Sequence, residues 1–146
     1  MDSGYMKQMR EQILSAEDGT IFATSDFADI ADSATVRQNL NRLVQAGILQ
    51  RVLRGIFVKP KFCSDLNKFI EVTPDAVAKT LARTYHWTII PYGNTALYLS
   101  GLSDQRPTIW SYMSNGPYKT YEWDSIRIEF RHRTNKELIG LSYQTL

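Results

Sequence analysis

Between residues 33 and 54 the chain spaces Ser33, Thr35, Arg37, Gln38, Asn41, Arg42, Arg51 and Arg54 with no acidic side chain among them. These are the side-chain types that recognise DNA. Arginine donates twice to guanine O6 and N7, glutamine and asparagine amides pair with adenine N6 and N7, and threonine meets the methyl group of thymine. Any of the arginines can instead hold a phosphate, which fixes position on the duplex without reading sequence. Ser33 opens a helix, so Thr35, Arg37, Gln38 and Asn41 are the expected base contacts. Arg42 lies nearer the middle of the helix, placed for a phosphate or for bracing the hairpin. Arg51 and Arg54 sit on that hairpin, where an arginine at the tip enters a minor groove or grips the backbone.

The charge pattern supports a DNA-facing segment although the total hides it. A formal charge of +2 is too mild to indicate a polyanionic partner. Residues 1–32 hold two basic and seven acidic side chains, whereas residues 33–61 hold six basic and none acidic. Such a face is often only solvated surface, and helix-plus-hairpin units also serve as protein-interaction modules. The acid-free window, the interleaved amides and the element order together favour DNA over that alternative.

Those side chains need elements to aim them. Apolar residues at Tyr5, Met6, Met9, Ile13 and Leu14 predict a first helix over 5–15, stopped at Gly19. Thr20–Ala23 reads as a short strand, and Thr24 or Ser25 caps a short second helix with Phe27, Ala28 and Ile30 inward. Ser33 caps the third helix, whose stripe of Val36, Leu40, Leu43 and Val44 faces the core until Gly47 ends it. From Ile48 the period changes to two, and Arg54-Gly55 turns the chain into Ile56–Lys59 before Pro60. This order is that of a winged helix-turn-helix.

The rest reads as a small α+β domain with an antiparallel sheet. Residues 61–71 form a linker with at most a helical turn; Thr73-Pro74-Asp75 then starts a helix through Arg83. Strands follow at 87–91 and 107–113, with a helix at 94–102 between them. Asn115-Gly116 is a turn feeding a strand at 118–123. Ile126, Ile128, Phe130 and His132 alternate with Arg127, Glu129, Arg131 and Arg133 on the next strand, whose charged face reads as solvated, and residues 136–141 form a last helix. The expected division is 1–62, a winged-helix DNA-binding domain, and 63–146.

Little else in the sequence does chemistry. Cys63 with His86 and His132 makes too few ligands for a Cys/His zinc site. There is no Gly-rich phosphate loop, metalloprotease His pair or nucleophile elbow. Asp124, Glu129 and Arg131 resemble a metal nuclease's carboxylate pair and cation only loosely, since arginine stands where lysine is needed. Tyr92, Tyr98, Trp110, Tyr112 and Trp123 read as core more than as a ligand pocket. The expectation is a non-enzymatic protein without cofactor. Absence of an apolar run of membrane length or a signal-like N-terminus makes it cytoplasmic in this reading.

Three segments resemble the AbiEi family of type IV antitoxins: GTIFATSDFADIADSATVRQNLNRLVQAGILQRVLRGIFVKP, TPDAVAKTLAR and IIPYGNTALYLSGLSDQRPT. The resemblance is carried by Thr35, Val36, Arg37, Leu40, Arg42 and Leu43 on the third helix, by Gly47, Arg51, Arg54 and Gly55 around the hairpin, and by residues 96–103 and 106–108. It implies a winged helix that binds double-stranded operator DNA and represses its own operon. It also implies an α+β domain that counters a nucleotidyltransferase-like toxin. An inverted-repeat operator would bring two copies together as a homodimer, because half-sites lie about 34 Å apart.

Overall fold

The computed structural model describes residues 4–144, with side chains described as far as Gly140. The fold is α+β, with five α-helices and three sheets among those residues. Two compact units divide between Thr73 and Pro74, eleven residues beyond the boundary expected from the sequence. The shift has a local cause. Residues expected to be a linker instead pair as a hairpin, β4 (Lys61–Cys63) with β5 (Lys68–Ile70), in which Phe62 opposes Phe69 edge to face at 5.2 Å.

In the first unit, α1 (Gly4–Ser15) buries Met6, Met9 and Ile13, which lie one turn apart on one face. Tyr5 and Leu14 flank that face and are about half exposed, so the apolar stripe is narrower than the sequence implied. β1 (Ile21–Ala23) leads into a single 3-10 turn, Thr24–Phe27, where a second α-helix was expected. Neither Thr24 nor Ser25 caps it. The Asp26 carboxylate accepts the Ala23 N–H at 2.8 Å, which holds the turn tight against the strand.

α2 (Ser33–Gln45) follows, then β2 (Gln50–Leu53) and β3 (Ile56–Val58). β3 is the central strand of the sheet β1-β3-β2, antiparallel to both neighbours. A bulge between Arg51 and Leu53 breaks the simple alternation expected of β2. Met6, Met9, Ile13, Phe22, Phe27, Val36, Leu40, Leu43, Leu49 and Phe57 close into one core.

In the second unit, α3 (Pro74–Tyr85) buries Val77, Ala78 and Leu81. His86 follows it with φ +59°, a left-handed residue that ends the helix. Then come β6 (Ile89–Pro91), α4 (Gly93–Leu99), β7 (Ile109–Ser114), β8 (Lys119–Trp123), β9 (Ile126–His132) and α5 (Asn135–Gln144). The sheet order is β6-β7-β9-β8, and the β7–β9 pair is parallel, so the sheet is mixed rather than wholly antiparallel.

The reason lies in β9. Its Ile128 and Phe130 are fully buried, and it occupies the slot between β7 and β8 that a direct hairpin would have closed. Residues 115–118 must then span two strand spacings, about 9.6 Å, which a two-residue turn at Asn115-Gly116 cannot do. Gly116 serves another purpose. Its backbone passes so close to the Trp87 indole that any Cβ there would overlap the ring.

Candidate nucleic-acid interface

α2 begins at an Asp32 cap, not a Ser33 cap. The Asp32 carboxylate accepts the Thr35 N–H at 3.1 Å, which satisfies one of the unpaired donors of the first turn. Hydrogen bonding from Thr35, first through its side chain and then through its N–H, holds the Asp32 carboxyl below the usual aspartate range. Asp32 and Ser33 are both able to cap this helix start, and the anion wins because it also suits the positive end of the helix dipole.

The buried residues of the helix are Val36, Asn39, Leu40 and Leu43, which at about 100° per residue fall within an arc of about 100°. Asn39 was not part of the expected stripe. It is 3% exposed and donates to the Met9 sulfur at 3.6 Å. Its burial rotates the core-facing arc away from Val44, which is only partly buried.

That rotation decides which polar side chains point outward. Ala34, Gln38, Asn41 and Gln45 are all exposed and lie within about 60° of one another, centred opposite the buried arc. Arg37 and Arg42, also exposed, flank this midline at about 70° on either side. Ser33 lies beyond Arg37 and the partly buried Thr35 beyond Arg42. Arg37 Nε donates to the Ser33 carbonyl at 3.3 Å, which lays the arginine along the flank of its own first turn. Of the four expected base contacts, Gln38 and Asn41 therefore occupy the midline, whereas Thr35 and Arg37 do not. Ala34 and Gln45 were absent from the expected set, although the three-and-four spacing of 34, 38, 41 and 45 already placed them in line.

Two further arginines come from the β2–β3 hairpin. Arg51 is exposed on the edge strand opposite Phe57, so it rises from the core-facing side of the sheet, the side on which Phe57 joins Val36 and Leu40. Arg54 is exposed at the turn. That turn is anchored: Gly55 takes φ +79°, and its carbonyl accepts the Thr24 N–H at 3.0 Å. Arg42, Arg51 and Arg54 form no ion pair among the described residues.

Lys59 belongs to the same acid-free window but is spent inside the fold. Its Nζ donates to the carbonyls of Leu14 and Ala16 at 3.0 and 2.6 Å and lies 3.4 Å from the Asp18 carboxylate. Two of the three arginines that the sequence placed on the charged face of β9 are likewise paired, while Arg131 is exposed. Arg127 pairs with Glu122 at 2.8 Å and Glu129 at 3.5 Å, and Arg133 with Glu137 at 3.7 Å.

Two members of the loose nuclease trio are placed by other interactions. Asp124 lies in the β8–β9 turn with φ +45°, while Glu129 is engaged by Arg127 and by the Tyr118 hydroxyl at 3.0 Å. Among the described residues no three His, Cys, Asp or Glu side chains group as metal ligands. Trp110 and Tyr112 are buried, and Tyr98 packs edge to face on Trp110. Cys63 is a partly buried free thiol. No helix among the described residues is long and apolar enough to cross a membrane.

No curated protein matches the chain. The sequence model of a family of unknown function, DUF6088, matches residues 8–143, nearly the whole length, and the chain belongs to that family.

Proposed function

We propose that this chain is a sequence-specific DNA-binding protein of the winged-helix type. The observation that carries the reading is the outward face of α2, where amides run down the midline between two exposed arginines and no acid interrupts them. That arrangement suits a major groove about 12 Å wide with a phosphate strand on each side. The short hairpin with Arg51 and Arg54 plays the wing, and the α1–β1–turn–α2–β2–β3 order supports the assignment. Through its resemblance to AbiEi antitoxins, the chain acts as an autorepressor of a toxin–antitoxin operon in the cytoplasm. The second unit then meets a nucleotidyltransferase-like toxin, and two copies sit on an inverted repeat. These last points rest on that resemblance.

Binding of the full chain to duplex fragments from upstream of its own gene tests the DNA reading. Affinity should fall on the order of a hundred-fold or more between roughly 50 and 200 mM salt if four to six groups meet phosphates. Arg37→Ala and Arg54→Ala should each weaken binding and flatten the salt dependence. Unchanged affinity in both variants would overturn the reading.

One observation favours a second reading, a winged-helix module that docks a protein. Residues 24–27 form only a 3-10 turn, so the first helix of a helix-turn-helix pair is much reduced. Failure of the parent chain to bind any duplex in a salt-sensitive way would support it.

A further inference from the structure

A helix that reads bases does so with the side chains on its outward midline, while those on its flanks reach the two phosphate strands. On α2 the midline is Ala34, Gln38, Asn41 and Gln45, and the flanks carry Arg37 and Arg42. The distribution is chemically selective. Guanine is gripped by arginine or lysine, and neither stands on the midline. Adenine is recognised by glutamine or asparagine, which accept from N6 and donate to N7, and two such amides stand at its centre. The methyl of Ala34 is the kind of apolar group that meets the thymine methyl.

Spacing agrees with this. Gln38 and Asn41 are three residues apart, a rise of about 4.5 Å, and base pairs are stacked about 3.4 Å apart along each strand, so the two amides address neighbouring pairs. Two contacts keep the arginines off the midline. Arg37 is drawn to the Ser33 carbonyl at 3.3 Å, and buried Asn39, held on Met9, sets the rotation of the whole helix.

We infer that α2 selects A·T base pairs through the major-groove edge of adenine, with Gln38 and Asn41 as the specificity-determining residues and Arg37 and Arg42 as phosphate contacts. This deepens the DNA-binding reading above and rests on it.

Selection of preferred sites from randomised duplexes with the full chain tests the inference, followed by inosine·cytosine replacement of each selected A·T pair. Inosine lacks the guanine 2-amino group, so its pair with cytosine keeps the minor-groove pattern of A·T but presents O6 and N7 acceptors in the major groove. The expected result is a short A·T run whose binding falls roughly ten-fold or more on replacement at a contacted pair. Gln38→Ala and Asn41→Ala should each erase the preference at one pair and leave the salt slope in place, whereas Arg37→Ala and Arg42→Ala should each lower that slope by about one at every sequence.

Failure takes distinguishable forms. Duplex binding with guanine-rich selection, or with no selection, overturns the inference and leaves the DNA reading standing. An A·T preference that survives inosine replacement assigns the reading to the minor groove and overturns it as well. No salt-sensitive binding to any duplex removes the inference together with the reading beneath it.

Discussion

Lys59 Nζ donates to the Ala16 carbonyl at 2.6 Å, across 43 positions of sequence, and so joins the end of β3 to the chain leaving α1. The same ammonium also serves the Leu14 carbonyl and the Asp18 carboxylate and is 15% exposed. A cation here satisfies carbonyls that α1 leaves unpaired at its C-terminus and complements the negative end of its dipole.

Lys59→Met should therefore destabilise the first unit by about 2 kcal/mol, the usual scale for losing hydrogen bonds from a charged donor. Urea unfolding measures this. In the DNA-binding reading proposed above, the salt slope should stay as in the parent, whereas loss of a phosphate-contacting lysine would lower it by about one. A lowered slope without lost stability would contradict the assignment.

Asp32 makes the start of α2 sensitive to acid. Its folded pKa is depressed by Thr35, so the cap contributes stability above the ordinary aspartate value of 3.8 and loses it as pH falls through the lower folded value. Asp32→Asn should keep the cap and remove the acid dependence, and Asp32→Ala should lower the melting temperature at neutral pH. Helix content by circular dichroism between about pH 5 and 2 follows the change.

Tyr112 is buried in the second unit, and its hydroxyl donates to Asp75 Oδ1 at 2.7 Å while Lys79 pairs with the other oxygen at 2.9 Å. Burial, then the bond to Asp75 and its negative charge, push the phenol well above the ordinary value of 10. Folding thus favours the protonated phenol. Its contribution is complete below pH 10 and declines as alkali ionises the unfolded chain. Tyr112→Phe should cost about 1–3 kcal/mol at neutral pH, the range for a hydrogen bond to a charged group, and weaken the loss of stability above pH 10. Urea midpoints across pH 8–11 for the two proteins measure both effects.

Gly116→Ala should destabilise the second unit by about 1–3 kcal/mol, as overfilling a packed site does. The added methyl meets Trp87, which stacks on Tyr85 at 4.9 Å and leans on Phe130 at 5.5 Å. Near-ultraviolet circular dichroism and tryptophan emission should change with it. A silent substitution would mean the indole moves aside freely.

Local signals in the sequence located most elements. Three-and-four spacing gave α1, α2 and α3 nearly to their ends, and Arg54-Gly55 marked the hairpin turn correctly because a left-handed residue is a local requirement. At Asn115-Gly116 the chain only bends, and the strands on either side are not neighbours, so the expected hairpin does not form. The missing helix at 24–27 and the unexpected β4–β5 hairpin share a cause. In segments of three or four residues, a cap such as Asp26 or a cross-strand pair such as Phe62 with Phe69 outweighs propensity.

The sequence by itself determined that residues 33–61 carry no acid and that the amphipathic helix within them presents amides and arginines to one side, because composition and period are local properties of the chain. Tertiary structure decided which of those groups remain available. Met9 drew Asn39 into the core and turned Gln38 and Asn41 to the midline, α1 claimed Lys59, and Glu122 and Glu129 neutralised Arg127. Each partner lies on a different element or across a turn, and burial and charge pairing act through space, so spacing along one segment carries no record of them.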